Sequence, residues 1–220
     1  MENQKKIIAA KLSMIAIITY QVLLIVLIFI RPDLDPTWHT ISEWAIGKYG
    51  WVMTSAFFIS AISYASLLVA IKSETKGILG RIGIILFFIC VVGTFGVGTF
   101  TTDPIEMIAT PTSRGLLHII FGSAALMLFP FAALIISLNI ARKNKEWYSS
   151  KRIQLWSAGI PLFGFLCFML YTAIYVMPMG QSAYGPGVNI GLPPRFAFLT
   201  YAIWIVILAT QIIKVKQKSS

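Results

Sequence analysis

Six mainly apolar runs decide most of what this chain can fold into: Leu12–Ile30, Trp51–Ile71, Ile82–Phe100, Leu116–Ile140, Leu155–Met177 and Phe196–Ile213. A helix needs ~20 mainly apolar residues to cross the bilayer core, and lipid offers backbone N–H and C=O groups no partner, so such runs fold as helices that satisfy themselves. Hydrophobic residues make up 57% of the 220 positions, above the roughly 45–50% of a soluble domain. The runs leave no room for a separate soluble unit. The expectation is therefore an all-α polytopic membrane bundle of six transmembrane helices, one domain over residues 1–220.

Lys5, Lys6 and Lys11 before the first run resemble the basic start of a signal peptide. The run is longer than a signal core of roughly 7–15 residues and no small-residue cleavage site follows, so a retained first helix is expected. The net charge of +10 is distributed unevenly. Residues 1–11, 72–81, 142–152 and 214–218 carry fourteen of the eighteen Lys and Arg, leaving only Arg31, Lys48, Arg114 and Arg195 for the alternate loops. By the positive-inside rule both termini are cytoplasmic and the protein belongs in the plasma membrane. The charge is thus a topology signal rather than a nucleic-acid footprint, and membrane lipids are the expected partners. Cys90 and Cys167 lie in apolar runs without metal or redox spacing and read as packing thiols.

Short basic connections at 72–81 and 142–152 read as hairpin turns. Ala56, Ser60 and Ser63, and Gly93 and Gly96, supply small faces for close helix approach, while Pro130 and Pro161 are expected to bend their helices. The three outer loops differ. The third, Pro178–Pro194, is rich in Gly and Pro, has no charge, and reads as irregular backbone over the bundle. The first contains "DLDPTWHTISEW" and the second "TTDP". Asp followed by Pro is a helix-start signal, so a short interfacial helix is expected from Asp35 to Gly47, with Asp35, His39 and Glu43 on one side and Ser42 beside them. Asp103 would cap a turn at Pro104. Arg114 opens helix four, and His118 follows one turn deeper on the same face.

Both histidines, and five of the eight acidic residues (Asp33, Asp35, Glu43, Asp103 and Glu106), thus gather at the outer end. Plain structural roles exist for most of them. Capping accounts for Asp35 and Asp103, a pairing with Lys48 or a solvated face for Glu43, an interfacial anchor for Arg114, and an aromatic belt for Trp38, Trp44 and Trp51. His39 is the least explained. His118, one turn inside a helix, must face protein or a water-filled cavity.

At these residues the chain resembles the domain of unknown function 998 family of small prokaryotic membrane proteins, through "HTISEWAIGKYGWVMTSAFF", "GTFTTDP" and "TSRGLLHIIFGSAALMLFP". These stretches cover roughly the first two-thirds of the chain; the last two helices match in hydrophobicity alone. The family is distantly similar to the Frag1/DRAM/Sfk1 group, some of whose members are linked to lipid remodelling or asymmetry. The resemblance implies a six-helix fold with recurring polar positions at His39, Ser42, Glu43, Asp103, Gly115 and His118. It supplies no reaction.

The favoured function is a membrane protein that binds or handles a lipid headgroup or another small polar ligand through Asp35, His39, Ser42, Glu43, Asp103, Arg114 and His118, with Arg114 meeting a phosphate. The alternative is a membrane-embedded hydrolase. Its zinc form takes His39, His118 and Asp103 as ligands with Glu43 as base; its metal-free form takes Ser42 as nucleophile and His39 or His118 as base. No HExxH-type spacing supports the metal, and no metal or cofactor is assigned. A transporter is disfavoured because no helix centre holds a charge. A bis-histidine haem site would require His39 and His118 at matching depth.

Overall fold

The computed structural model describes residues 1–107, 109–183 and 185–218, without the side chains of Glu106 and residues 181–183. Among them there is no strand, and six helices are long and apolar enough to span a membrane. The elements are α1 (Glu2–Ile30), a 3-10 turn (Ile41–Ala45), α2 (Gly50–Ile71), α3 (Gly77–Thr99), a 3-10 turn (Ile105–Met107) and α4 (Ser113–Lys143). The fifth span is composite: a 3-10 segment (Lys145–Ser150), α5 (Lys151–Ser157), α6 (Gly159–Tyr171), a π turn (Thr172–Val176) and a 3-10 segment (Met177–Ala183). The last span is α7 (Leu192–Lys218).

Several helices outrun the apolar runs that predict them. The α1 helix starts ten residues before Leu12 because lysine-bearing turns continue it beyond the lipid-facing stretch. Its 29 residues amount to roughly 43 Å at 1.5 Å per residue, longer than a ~30 Å hydrocarbon core. The fifth span departs more. Pro161 falls in the first turn of α6, and the N–H it lacks would have bonded to the carbonyl of Ser157, where α5 ends. Pro161 therefore marks a break, whereas Pro130 lies inside a continuous α4. The third loop is not wholly irregular either, since its first residues continue the fifth span as the Met177–Ala183 segment.

Packing follows the small faces. A Cβ on Gly93 would lie 2.7 Å from the Phe121 carbonyl oxygen, and one on Gly96 would overlap the Phe121 ring, so α3 and α4 approach backbone to backbone. Ser63 on α2 donates to the Ser13 carbonyl of α1 at 2.8 Å. Mid-bundle, Phe129 stacks on Tyr201 with centroids 4.3 Å apart. The Tyr201 hydroxyl donates to the Leu126 carbonyl at 2.8 Å. That carbonyl is the one whose helical partner Pro130 removes, so a tyrosine of α7 replaces the missing donor in a place where water is absent.

The end of the bundle that bears both termini is held by charges that sequence spacing does not reveal. Glu74, in the α2–α3 link and almost fully buried, accepts from Lys6 of α1 (2.8 Å), Lys216 of α7 (2.9 Å) and the Trp147 indole (2.8 Å), with Asn144 at 3.1 Å. Lys216 also pairs with Glu146, and Lys6 with Glu2. The three acidic residues outside the outer loops thus all join one cluster, which ties the first and last helices to both hairpin links. Burial alone would raise the Glu74 carboxyl, but its hydrogen bonds from Lys6, Trp147 and Lys216 hold it below the ordinary value.

Three outcomes follow. Glu74→Ala takes the shared buried partner from Lys6, Lys216 and the Trp147 indole and is expected to cost about 3–5 kcal/mol, read as a large drop in melting temperature in detergent; an unchanged melt contradicts the cluster. The carboxylate's folded pKa is lowered, so its contribution is present above pH 4.5 and is lost as pH falls through the folded value; melts of wild type should show this acid loss and Glu74→Gln should not. Tyr201→Phe, leaving the Leu126 carbonyl unpaired, is expected to cost about 1–3 kcal/mol on the same melts.

Candidate functional site

At the opposite end, the expected interfacial helix from Asp35 to Gly47 is not one element. Asp35 closes a local turn by accepting the Thr37 N–H (2.8 Å) and hydroxyl (2.7 Å). The chain then becomes extended at Thr40 (φ −70°, ψ 155°) before the 3-10 turn Ile41–Ala45. Two short-range cap preferences, Asp35 for Thr37 and Glu43 for Thr40, thus divide the segment. The Glu43 carboxylate accepts the Thr40 N–H (2.7 Å) and hydroxyl (3.2 Å), which is the acidic arm of a capping box. Its other oxygen accepts the Ile105 N–H at 3.2 Å, joining the first loop to the second. Glu43 is buried, so it is neither a solvated residue nor a partner of Lys48.

The second loop is fixed by Asp103. Rather than capping its own turn, its carboxylate accepts the Thr112 N–H (2.7 Å) and hydroxyl (2.9 Å) at the head of α4. Thr112 in turn caps α4 by accepting the Gly115 N–H at 3.1 Å. A side chain at 115 would overlap Asp103 Oδ2, which gives a steric reason for glycine there. With Gly115 and His118 on the packed face, Arg114 remains exposed at the start of α4.

His118 sits one turn below, 5% exposed, and joins three pieces of chain. Its Nδ1 lies 2.7 Å from the Phe100 carbonyl oxygen, just past α3, and its Nε2 lies 2.8 Å from Ser42 Oγ in the first loop. A carbonyl only accepts, so Nδ1 carries a proton. In the neutral ring Nε2 is then the acceptor and the Ser42 hydroxyl donates to it. This is a hydroxyl in line with an imidazole base whose far side is oriented by a third group.

Ser42 and His118 face a cavity of about 390 Å³ between α4, α6 with its π turn, and α7. Ile119, Leu126, Phe168, Val176 and Phe198 make most of its wall apolar, and Tyr171 and Thr172, where the π turn begins, add hydroxyls. Wide turns of this kind recur at functional sites. Asp103 is the sole charged side chain lining it among the described residues. The fifth span that forms one wall is only 17% buried, against 33–56% for the other five, so it is the least covered by the rest of the bundle.

Of the seven residues singled out in the sequence, Ser42, Asp103 and His118 line this cavity and Glu43 lies buried behind it; Asp35, His39 and Arg114 do not line it. The His39 ring stacks on Trp38 with centroids 3.6 Å apart and its Nδ1 meets the Asp35 carbonyl at 3.1 Å. His39, His118 and Asp103 therefore do not converge, and the described residues hold no group of three His, Cys, Asp or Glu able to grip a metal. Phosphate capture by Arg114 inside the cavity lacks support for the same geometric reason. The fifth outer acid, Glu106, has a side chain outside the described residues.

Two arginines treated in the sequence only as topology signals prove structural. Arg31 forms a fork with Asp33 (2.9 and 2.8 Å) and donates to the carbonyls of Ile46 and Lys48, closing the first loop on itself. It holds the Asp33 carboxyl below its ordinary value. Arg195 donates to the carbonyls of His39 and Gly191, both at 2.8 Å, and lies 4.6 Å over Trp44. Trp44 is fully buried there and is no belt residue, whereas Trp51 is 70% exposed. The Arg31–Asp33 spacing was a legible signal; the reach of Arg195 across 156 residues was not.

The family model described as Protein of unknown function (DUF998) matches residues 14–211, which carries the likeness beyond the first two-thirds of the chain and through most of α7. No curated protein and no solved structure matches the chain.

Gly115→Ala is expected to cost about 1–3 kcal/mol by overpacking against Asp103. Asp103→Ala in the same chain should return part of that loss, giving a coupling of about 1 kcal/mol in a double-mutant cycle of detergent melts; strict additivity contradicts the lock.

Proposed function

This chain belongs to the DUF998 family, and we propose that it is a multi-pass plasma-membrane protein that holds an amphiphile with a neutral head in its outer-leaflet cavity. Both termini are then cytoplasmic, as the fourteen-to-four division of basic residues supports. The observation that carries the reading is a largely apolar chamber onto which the hydrogen-bonded Ser42–His118 pair opens. Its volume falls within the roughly 300–1,000 Å³ of small-molecule sites.

The chemistry of the walls narrows the ligand. An acyl chain moving from bilayer to cavity gains little, because lipid is as apolar as the wall. Preference must come from the head. Among the described residues no Lys or Arg lines the chamber to neutralise a phosphate, and both Asp103 oxygens already accept from Thr112. Hydroxyl, ester or amide heads suit Ser42, His118, Tyr171 and Thr172 better than phosphate does. A hydrolytic role at the same place draws support from one observation, the hydrogen bond between Ser42 and His118.

Native mass spectrometry of protein released from membranes in mild detergent should show a retained neutral lipid near one per chain. Ile119 lines the cavity and is 41% exposed, so Ile119→Trp can crowd the chamber without disturbing the core. It is expected to lower retention about tenfold, a loss of ~1.4 kcal/mol in affinity, with an unchanged melt. Arg114→Ala should leave retention as it is. Protein free of lipid, or retention of anionic phospholipid abolished by Arg114→Ala, contradicts the reading.

A further inference from the structure

We infer that Ser42 and His118 are a nucleophile and its general base, and that they cleave a carboxylic ester held in the outer-leaflet cavity. The inference rests on the amphiphile-holding reading and adds an activity and a substrate class to it. Four observations support it together. Ser42 Oγ and His118 Nε2 are 2.8 Å apart, within reach for proton transfer. The Phe100 carbonyl, 2.7 Å from Nδ1, fixes the tautomer that leaves Nε2 free to accept, the orienting part that a carboxylate plays in a triad. Both side chains open onto the apolar chamber, where a carbonyl group of an acyl ester can meet Oγ. Among the described residues the chamber has no Lys or Arg side chain, which disfavours a phosphodiester and leaves the uncharged carboxylic ester as the electrophile.

A second, smaller cavity borders the same pair. It measures about 70 Å³ and shares Ser42 and His118 with the first, while Tyr20, Ser60, Tyr64 and Thr94 give it further hydroxyl lining. A simple tie between loop and helix would account for the hydrogen bond, but it has no need of an acyl-sized chamber beside it.

The chemistry balances without any co-reactant except water. Ser42 Oγ attacks the ester carbonyl carbon while its proton passes to His118 Nε2. The bond from carbonyl carbon to alkoxy oxygen breaks, and Nε2 returns that proton to the departing alcohol, leaving an acyl ester on Ser42. Water then attacks the acyl carbon, giving one proton to Nε2. Ser42 Oγ leaves, recovers that proton, and a carboxylic acid departs. Throughout, Nδ1 keeps its proton on the Phe100 carbonyl.

The test is labelling of the full-length protein, in detergent, with a long-chain alkyl fluorophosphonate, read by intact mass and by peptide mapping. A single adduct on Ser42 is expected, absent in Ser42→Ala. His118→Gln, which can still hydrogen-bond Ser42, should slow labelling by about 10²–10⁴-fold, the range for loss of a general base, with circular dichroism at the labelling temperature showing that it stays folded. His39→Gln should label at the wild-type rate. No adduct, an adduct elsewhere, or labelling that His118→Gln does not slow overturns the inference. Lipid retention measured on the same samples separates the two readings: retention without labelling removes the activity and keeps the binding site, whereas neither retention nor labelling removes both.

Discussion

One imidazole holds the loop end of this bundle together. His118 belongs to α4, its Nδ1 proton is held by a carbonyl just beyond α3, and its Nε2 receives a hydroxyl from the first loop, 76 residues away in sequence. Without that bridge the first loop would rest on Glu43, Arg31 and Arg195, and the cavity would lose the hydrogen-bonded pair that opens onto it. The bridge also sets a direction. Because one nitrogen faces a group that can only accept, the other is committed to accept in turn, and the serine hydroxyl points its proton at it. A structural restraint and a chemically competent arrangement are here the same two hydrogen bonds.

The rest of the polar chemistry obeys the constraint lipid imposes. An ionised side chain at the bilayer centre costs about 2.5–3.5 kcal/mol even on insertion scales, and charges accordingly occupy the two ends. At the end with the termini, Glu74 and its lysines make a buried knot. At the other, carboxylates are spent on backbone and threonine donors: Asp35 on Thr37, Glu43 on Thr40 and Ile105, Asp103 on Thr112. The groups left facing the chamber are mostly neutral, which is why a neutral ligand fits it better than a phosphate.

The six spans were legible because a run of about twenty apolar residues has few folded alternatives, and the gathering of polar residues at one end was legible from their order along the chain. What each polar residue does there was not. Asp35, His39 and Glu43 recur every four residues and so predict one helix face, but the cap preferences of Asp35 and Glu43 act over two or three residues and split the segment before a helix can form. Ser42 stood in the sequence only as a neighbour of that face; its partner lies 76 positions on, and no local spacing encodes such a pairing. The break at Ala158 was half visible, since Pro161 announces a lost donor without saying whether the helix bends or stops. Glu74, Asn144, Trp147 and Lys216 come from three elements and share no motif, so their convergence became apparent only with the fold.

Direct observation of the His118 ring is the shortest route to the central claim. The chain has two histidines, so ¹⁵N-histidine-labelled protein in bilayers, compared with His39→Gln, assigns the signals without ambiguity. A neutral ring protonated on Nδ1, with an Nε2 shift that moves when Ser42 becomes alanine, is the expected result. A ring protonated on Nε2, or one indifferent to Ser42→Ala, would mean that serine and histidine do not meet as described, and the cavity would have no reactive end.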